Sequence, residues 1–181
     1  MNEKEIAFQR ASEKERARKA WRDMTKLFIL SSSIIFTTLF IVWIARQLPD
    51  IYMPASYRWN LLVAAISSLF IFQSAASIKK DELKSAGQSL HAAIVLGLAF
   101  LVIHIIGSNE LLQVNSAFRN ILFPVVVIHI LHVLIGIALL VRIGWQLKVY
   151  KVHSRETGFA SNAFRYWHFL GVIWLLVVVF L

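Results

Sequence analysis

The chain contains no cysteine. A disulfide framework and a thiolate metal site are therefore excluded, while the redox compartment stays open. Acidic residues are also scarce, ten against 19 Lys and Arg, and their placement matters more than their number. Glu3, Glu5, Glu13, Glu15, Asp23, Asp50, Asp81, Glu82, Glu110 and Glu156 all fall outside the long apolar runs. Proton pumps and ion-coupled carriers keep ionisable groups inside the bundle, because those groups carry the ion. A carrier or proton channel acting alone is thereby disfavoured, and transport by the isolated chain in liposomes would revive it. The chain also lacks internal repeats and low-complexity tracts, and has only three prolines.

Apolar side chains are what it has in abundance. Hydrophobic residues make up 58% of the chain and charged residues 16%, too apolar for a soluble domain of this size. A bilayer core of roughly 30 Å takes about 20 apolar residues at ~1.5 Å each. Five stretches meet or approach that length: residues 27–45, 60–78, 91–107, 121–141 and 166–181. The third extends backward through Ser89 and Leu90, the fifth through Ala163 and Phe164. Backbone groups in lipid must bond within their own segment, so these runs are expected as α-helices. A β-barrel would need alternating polar and apolar positions, which they lack. Pro124 falls in the first turn of the fourth run, where a missing N–H costs little. Pro49 and Pro54 fit a turn in the first connection.

The expected fold is all-α, an integral membrane bundle of five transmembrane helices over residues 27–181. A charged arm, residues 1–26, precedes it. That arm is too long and too charged for a signal-peptide n-region, and no small-residue cleavage site follows, so the first run is expected to remain as an anchor. Ser12 and Glu15 have capping-box spacing, and helix formers fill residues 13–22. The arm is read as a surface helix running into the first span, either solvated or docked on a partner.

Orientation follows from the basic residues. Of the 19 Lys and Arg, only Arg46, Arg58 and Arg119 lie on the side opposite the arm. The basic side faces the cytoplasm, which puts the N-terminus in and the C-terminus out. Topology and anionic lipid account for the net charge of +9, so no nucleic-acid partner is expected.

Histidines are the remaining candidates for chemistry. His91, His104, His129, His132 and His168 fall in the spans, and His153 in a loop. Helix four runs inward while helices three and five run outward. That layout puts His104 near the outer end, His129 and His132 near mid-membrane and His168 near the inner end. Offsets of five or six residues are roughly 8 Å of depth, too far for one haem without tilt. His91 and His168 match in depth, which leaves a small haem b cytochrome as one alternative. The bland alternative is hydrogen bonding to a neighbouring helix or a lipid head group. His129 and His132 share a helix face, and Gly136 lies four residues further along it, where a glycine lets another helix approach. Ser67 and Ser68 suggest a polar or close-packed contact inside the bundle. Tyr166, Trp167 and His168, beside Arg165, read as an interfacial belt or an anionic-lipid contact.

Four short motifs carry a resemblance. They are Tyr166-Trp167-His168-Phe169 with Val172, Trp174 and Leu175; His129-Ile130-Leu131-His132-Val133 with Gly136; Asn60 followed by Ser67-Ser68; and Leu96-Gly97 with Phe100. In that order, on those helices, the chain resembles the cytochrome c oxidase subunit III family of the haem-copper oxidases, in its short five-helix form. The resemblance covers nearly everything after the arm. There are departures. Ser32 stands where the family usually carries a buried carboxylate, Gly107 ends a stretch that has lost a second acid, Gly171 replaces an aspartate and Ile130 a glycine.

The resemblance implies a non-catalytic accessory subunit with no metal or haem of its own. Haems and copper are expected in partner subunits. The implied partners are the catalytic haem-copper subunit I, other respiratory-complex subunits and bound phospholipid, in a bacterial inner membrane. A quinol oxidase or nitric oxide reductase partner is the alternative within the family. Arg142, Trp167 and His168 are the lipid-binding candidates. Asn60, Ser67, Ser68, His129, His132, Gly136 and Tyr166 are the structural or interface candidates.

Overall fold

The computed structural model describes residues 3–45, 54–114, 123–154 and 157–180. Arg46, Pro49, Asp50, Arg119, Arg155, Glu156, the first two residues of the expected fourth span (121–122) and Leu181 lie outside the described residues. Among these described residues five helices follow in chain order: α1 (Glu3–Ala45), α2 (Ala55–Lys79), α3 (Leu83–Val114), α4 (Phe123–Lys148) and α5 (Gly158–Phe180). Among the described residues there is no strand. Helices α2 to α5 are each long and apolar enough to cross a membrane, and α1 carries the run 27–45 as its second half.

The helices overrun the expected spans. The 32 residues of α3 reach ~48 Å, well beyond a core of roughly 30 Å. Extending an existing helix costs little, so polar residues flanking an apolar run simply join it. Glu110 thereby sits exposed on the far end of α3. The capping-box reading of Ser12 is overturned for the same reason. The arm and first span form one helix of 43 residues, and Ser12 is interior to it, its Oγ donating to the Gln9 carbonyl at 2.9 Å. Pro54 occupies the N-cap of α2, and its carbonyl accepts from the Tyr57 N–H at 3.1 Å. Pro124 lies in the first described turn of α4.

Helix contacts close a ring: α2 on α3, α3 on α4, α4 on α5 and α5 back on α2, with α1 packed against α5. Between α2 and α3 the chain reverses at Asp81, which takes φ 58°. Aspartate is one of the few non-glycine residues that visit this left-handed region routinely. Its carboxylate then accepts from the Ser154 N–H at 2.8 Å and the Ser154 hydroxyl at 2.7 Å. One side chain thus ties the α2–α3 turn to the α4–α5 connection, both on the basic side.

Candidate functional site

Trp167 organises the centre of the ring. A Cβ added at Gly97 on α3 would lie 2.7 Å from its Cη2, and one at Gly136 on α4 would lie 3.0 Å from its Cε3. The indole therefore fills the space that two glycines leave open. Its Nε1 donates to the Ser67 hydroxyl on α2 at 3.2 Å, and that hydroxyl donates in turn to the Ala93 carbonyl on α3 at 3.2 Å. One side chain of α5 touches α2, α3 and α4.

The expected interfacial role of Trp167 is corrected by this placement. Trp167 is 7% exposed and turned inward. The reason is the helix start: α5 begins at Gly158, so Trp167 lies nine residues in, ~13 Å along the axis. The structure does not bring the three lipid candidates together. Arg142 is exposed, its guanidinium 5.1 Å from the Phe159 ring centroid. His168 is half-buried. His91, its proposed haem partner, is exposed and lines a groove between α3 and α4 that His168 does not line.

A second correction concerns depth. His104 and His129, expected at different levels, have ring centroids 5.5 Å apart. Both are buried, at 0% and 2% exposure. Trp174 packs beside both, 4.4 Å from His104 and 5.5 Å from His129. Tyr57 and Phe100 each stack on His104 at 5.5 Å. Rings from α2, α3, α4 and α5 thus fill this space. Ser108 donates to the His104 carbonyl at 2.6 Å, so the Tyr57 hydroxyl, 2.9 Å away, is the donor to Ser108. Asn60 Nδ2 makes a long contact of 3.5 Å with His104 Nδ1. Asn60 Oδ1, His104 Nε2, His129 Nδ1 and Trp174 Nε1 are buried without a hydrogen-bond partner among the described residues.

His132 faces the other way, toward α1. Its Nδ1 lies 2.7 Å from the Ile128 carbonyl. A carbonyl only accepts, so Nδ1 carries the proton and in the neutral ring Nε2 is left as an acceptor. Ser32 Oγ, 3.0 Å from Nε2, then donates to it. Tyr166 donates its hydroxyl to the His132 carbonyl at 3.0 Å, and Phe28 of α1 stacks on the ring at 5.3 Å. Ser32 is thus the partner of His132. Gly107 lies against α2, where an added Cβ would meet Ser56 Oγ at 2.6 Å and Tyr57 Cε1 at 2.7 Å.

Sequence reasoning missed Tyr57, Ser108 and Phe36. Tyr57 precedes the expected second span and Ser108 follows the third, yet both lie on the helices. Phe36 was one aromatic in a uniformly apolar run. It is 2% exposed and packs edge-on to His129 at 6.2 Å, a contact only α1 docking creates. Among the described residues no three His, Cys, Asp or Glu side chains are grouped to hold a metal ion.

Known proteins share the pattern. Residues 7–181 match the family described as Cytochrome c oxidase subunit III. The chain is 27% identical over 168 residues to the cytochrome c oxidase subunit 3 of Thermostichus vulcanus, covering 86% of this chain and 83% of the relative. It is 25% identical over 171 residues to the cytochrome bo(3) ubiquinol oxidase subunit 3 of Buchnera aphidicola subsp. Acyrthosiphon pisum, covering 85% and 82%. With the subunit 3 of Cyprinus carpio it shares 31% over 123 residues, 66% of this chain and 47% of the relative.

Proposed function

Because the chain belongs to the cytochrome c oxidase subunit III family, we propose that it is a non-catalytic accessory subunit of a haem-copper terminal oxidase. In this reading it packs on the catalytic haem-copper subunit I, in a bacterial inner membrane. It supports electron transfer to oxygen coupled to proton pumping without holding a redox centre itself. The observation that carries the non-catalytic role is the chemistry of the buried core. Its buried polar side chains among the described residues are Ser, Asn and His, with no carboxylate. A proton path through a bundle is ordinarily built on intramembrane acids. Relatives of both donor types match at similar identity, so a quinol oxidase is the second reading.

Bound phospholipid belongs to the proposal. A groove of about 990 Å³ runs between α3 and α4 at their ends on the basic side. Lys84 and Lys148 line it with His91, and Leu90, Ile94 and Trp145 give it an apolar wall. Cations above an apolar wall at that level suit an anionic head group. Large apolar side chains such as Leu30, Ile34, Leu69 and Phe72 are exposed on the helices, and lipid or a partner subunit would cover them.

The experiment is purification in mild detergent through a tag on the N-terminal arm, with mass spectrometry and a reduced-minus-oxidised spectrum. Co-purification of a haem-copper subunit with its haem signals is the expected result. A colourless chain emerging alone would overturn the assignment, and a chain alone with a b-type spectrum would make the histidines ligands.

A further inference from the structure

The groove between α3 and α4 changes character along its length. Lys84 is the second residue of α3 and Lys148 the last of α4, so its two helical walls each bring a cation to its mouth. No acid is among its lining residues. A third cation stands at the rim: Lys151 lies over the ring of Trp145, which lines the groove, 5.4 Å from the centroid. Deeper in, Leu90, Ile94 and Val141 form the wall. Ile94 lies ten residues beyond Lys84, ~15 Å along the axis.

The rim also carries backbone strain. Tyr150 takes φ 52°, a left-handed conformation that a bulky side chain rarely adopts. It closes α4 where glycine usually stands: its N–H donates to the Leu147 carbonyl at 3.2 Å, and the N–H of Lys151 donates to the Gln146 carbonyl at 2.9 Å. Glycine would end the helix there without a steric penalty. Tyrosine instead adds a phenol to the lining of the groove, and it is 78% exposed. A strained residue at the edge of a charged groove points to a ligand.

We propose that this groove selects a lipid whose head is a phosphate monoester, as in a phosphatidate, over one whose head is a phosphate diester. The inference rests on the reading of the groove as a lipid site and adds the identity of the head. A diester phosphate carries one negative charge and balances one lysine. A monoester carries about −1.5 to −2 near pH 7, on three strong acceptor oxygens. That charge matches Lys84 and Lys148 together, and the third oxygen accepts from the Tyr150 hydroxyl. The acyl chains run down along Leu90, Ile94 and Val141. Pairing one further charge near a membrane surface strengthens binding about five-fold.

The test reconstitutes the full chain, with whatever subunits purify with it, in neutral phosphatidylcholine vesicles. Each preparation holds the same small fraction of one of three lipids with an identical photoactivatable acyl chain: phosphatidate, phosphatidylglycerol or phosphatidylcholine. Crosslinks are mapped by mass spectrometry to peptides from the two walls of the groove. Phosphatidate is expected to label them about five-fold more than phosphatidylglycerol, and Lys84→Gln or Lys148→Gln to remove the difference. Both lysines are exposed, so neither variant threatens the fold. Tyr150→Gly relieves the backbone and should still lower phosphatidate labelling. Equal labelling by phosphatidate and phosphatidylglycerol, both above phosphatidylcholine, overturns the selectivity and leaves the lipid site standing. Equal labelling by all three removes the anionic site, and both readings with it. Displacement by glycerol 3-phosphate at a concentration equal to that of the lipid would make a free ester the ligand and overturn the lipid as occupant.

Discussion

Gly97→Ala should destabilise the chain although it adds one methyl group, because that methyl meets the clamped indole. The new Cβ would lie 2.7 Å from Trp167 Cη2 and 3.1 Å from Cζ2. An exposed ring would swing away. This one is held by Gly136 behind it and by its bond to Ser67. Overpacking of this kind costs about 1–3 kcal/mol, and stretching the Trp167–Ser67 bond loses about 1 more. Replacing a helical glycine by alanine returns about 1 kcal/mol, for a net loss of about 1–3. Gly144→Ala is the matched control on α4, since its Cβ would meet only Leu90 Cδ2, at 3.7 Å. There the propensity gain stands alone, so the two variants should differ by about 2–4 kcal/mol. At roughly 2–4 °C per kcal/mol for a chain of this size, Gly97→Ala should melt at least about 4 °C below Gly144→Ala. Thermal unfolding followed by intrinsic tryptophan fluorescence in mild detergent measures the difference. Equal melting temperatures would refute the clamp, and with it the reading of Gly97 as a place where only hydrogen fits.

Other perturbations separate the remaining contacts. Trp167→Phe keeps most of the packing and loses the bond to Ser67, about 1 kcal/mol, whereas Trp167→Ala opens the centre of the ring and should cost about 3–5; near-equal thermal stabilities would mean that the indole is not central packing. Gly136→Leu should lower the yield of intact complex more than His132→Ala, because it pushes α4 off α5; equal yields on native gels would count against that interface. Ser32→Ala should loosen α1 from α4 by about 1 kcal/mol, seen as faster amide exchange in α1, while unchanged exchange would show that Phe28 and Phe36 hold it without the hydroxyl. Asp81→Gly keeps the turn's φ but removes both bonds to Ser154, and should speed trypsin cleavage near Lys80 or Lys151 in inside-out vesicles; unchanged cleavage rates would mean that the connections hold without them.

How much was legible varies with the kind of residue. Gly136 could be read as a site of close approach, because glycine in a membrane helix invites one, whereas Gly97 stood only in a motif. What approaches them could not be read: Trp167 looked like an interfacial aromatic because it opened the apolar run. Helix ends were misplaced because hydropathy marks where lipid begins, while the hydrogen-bond ladder runs on through polar residues. Ser32, Gly107 and Gly171, read as departures from the resembled motifs, have separate fates that their sequence contexts do not distinguish: Ser32 bonds His132, Gly107 admits Tyr57, and Gly171 leaves a cavity.

The sequence by itself determined the solvent, the five helices and the family. Each is a sum over many residues: apolar length against bilayer thickness, backbone bonding in lipid, and motifs in a fixed order. Only the tertiary structure decided which histidines meet. Depth along straight helices put His104 and His129 apart, yet helix overrun and packing bring their rings to 5.5 Å. Side-chain contacts depend on the rotation and crossing of each helix. Those are fixed by whichever small residues let neighbours close, here Gly97 and Gly136 around one tryptophan.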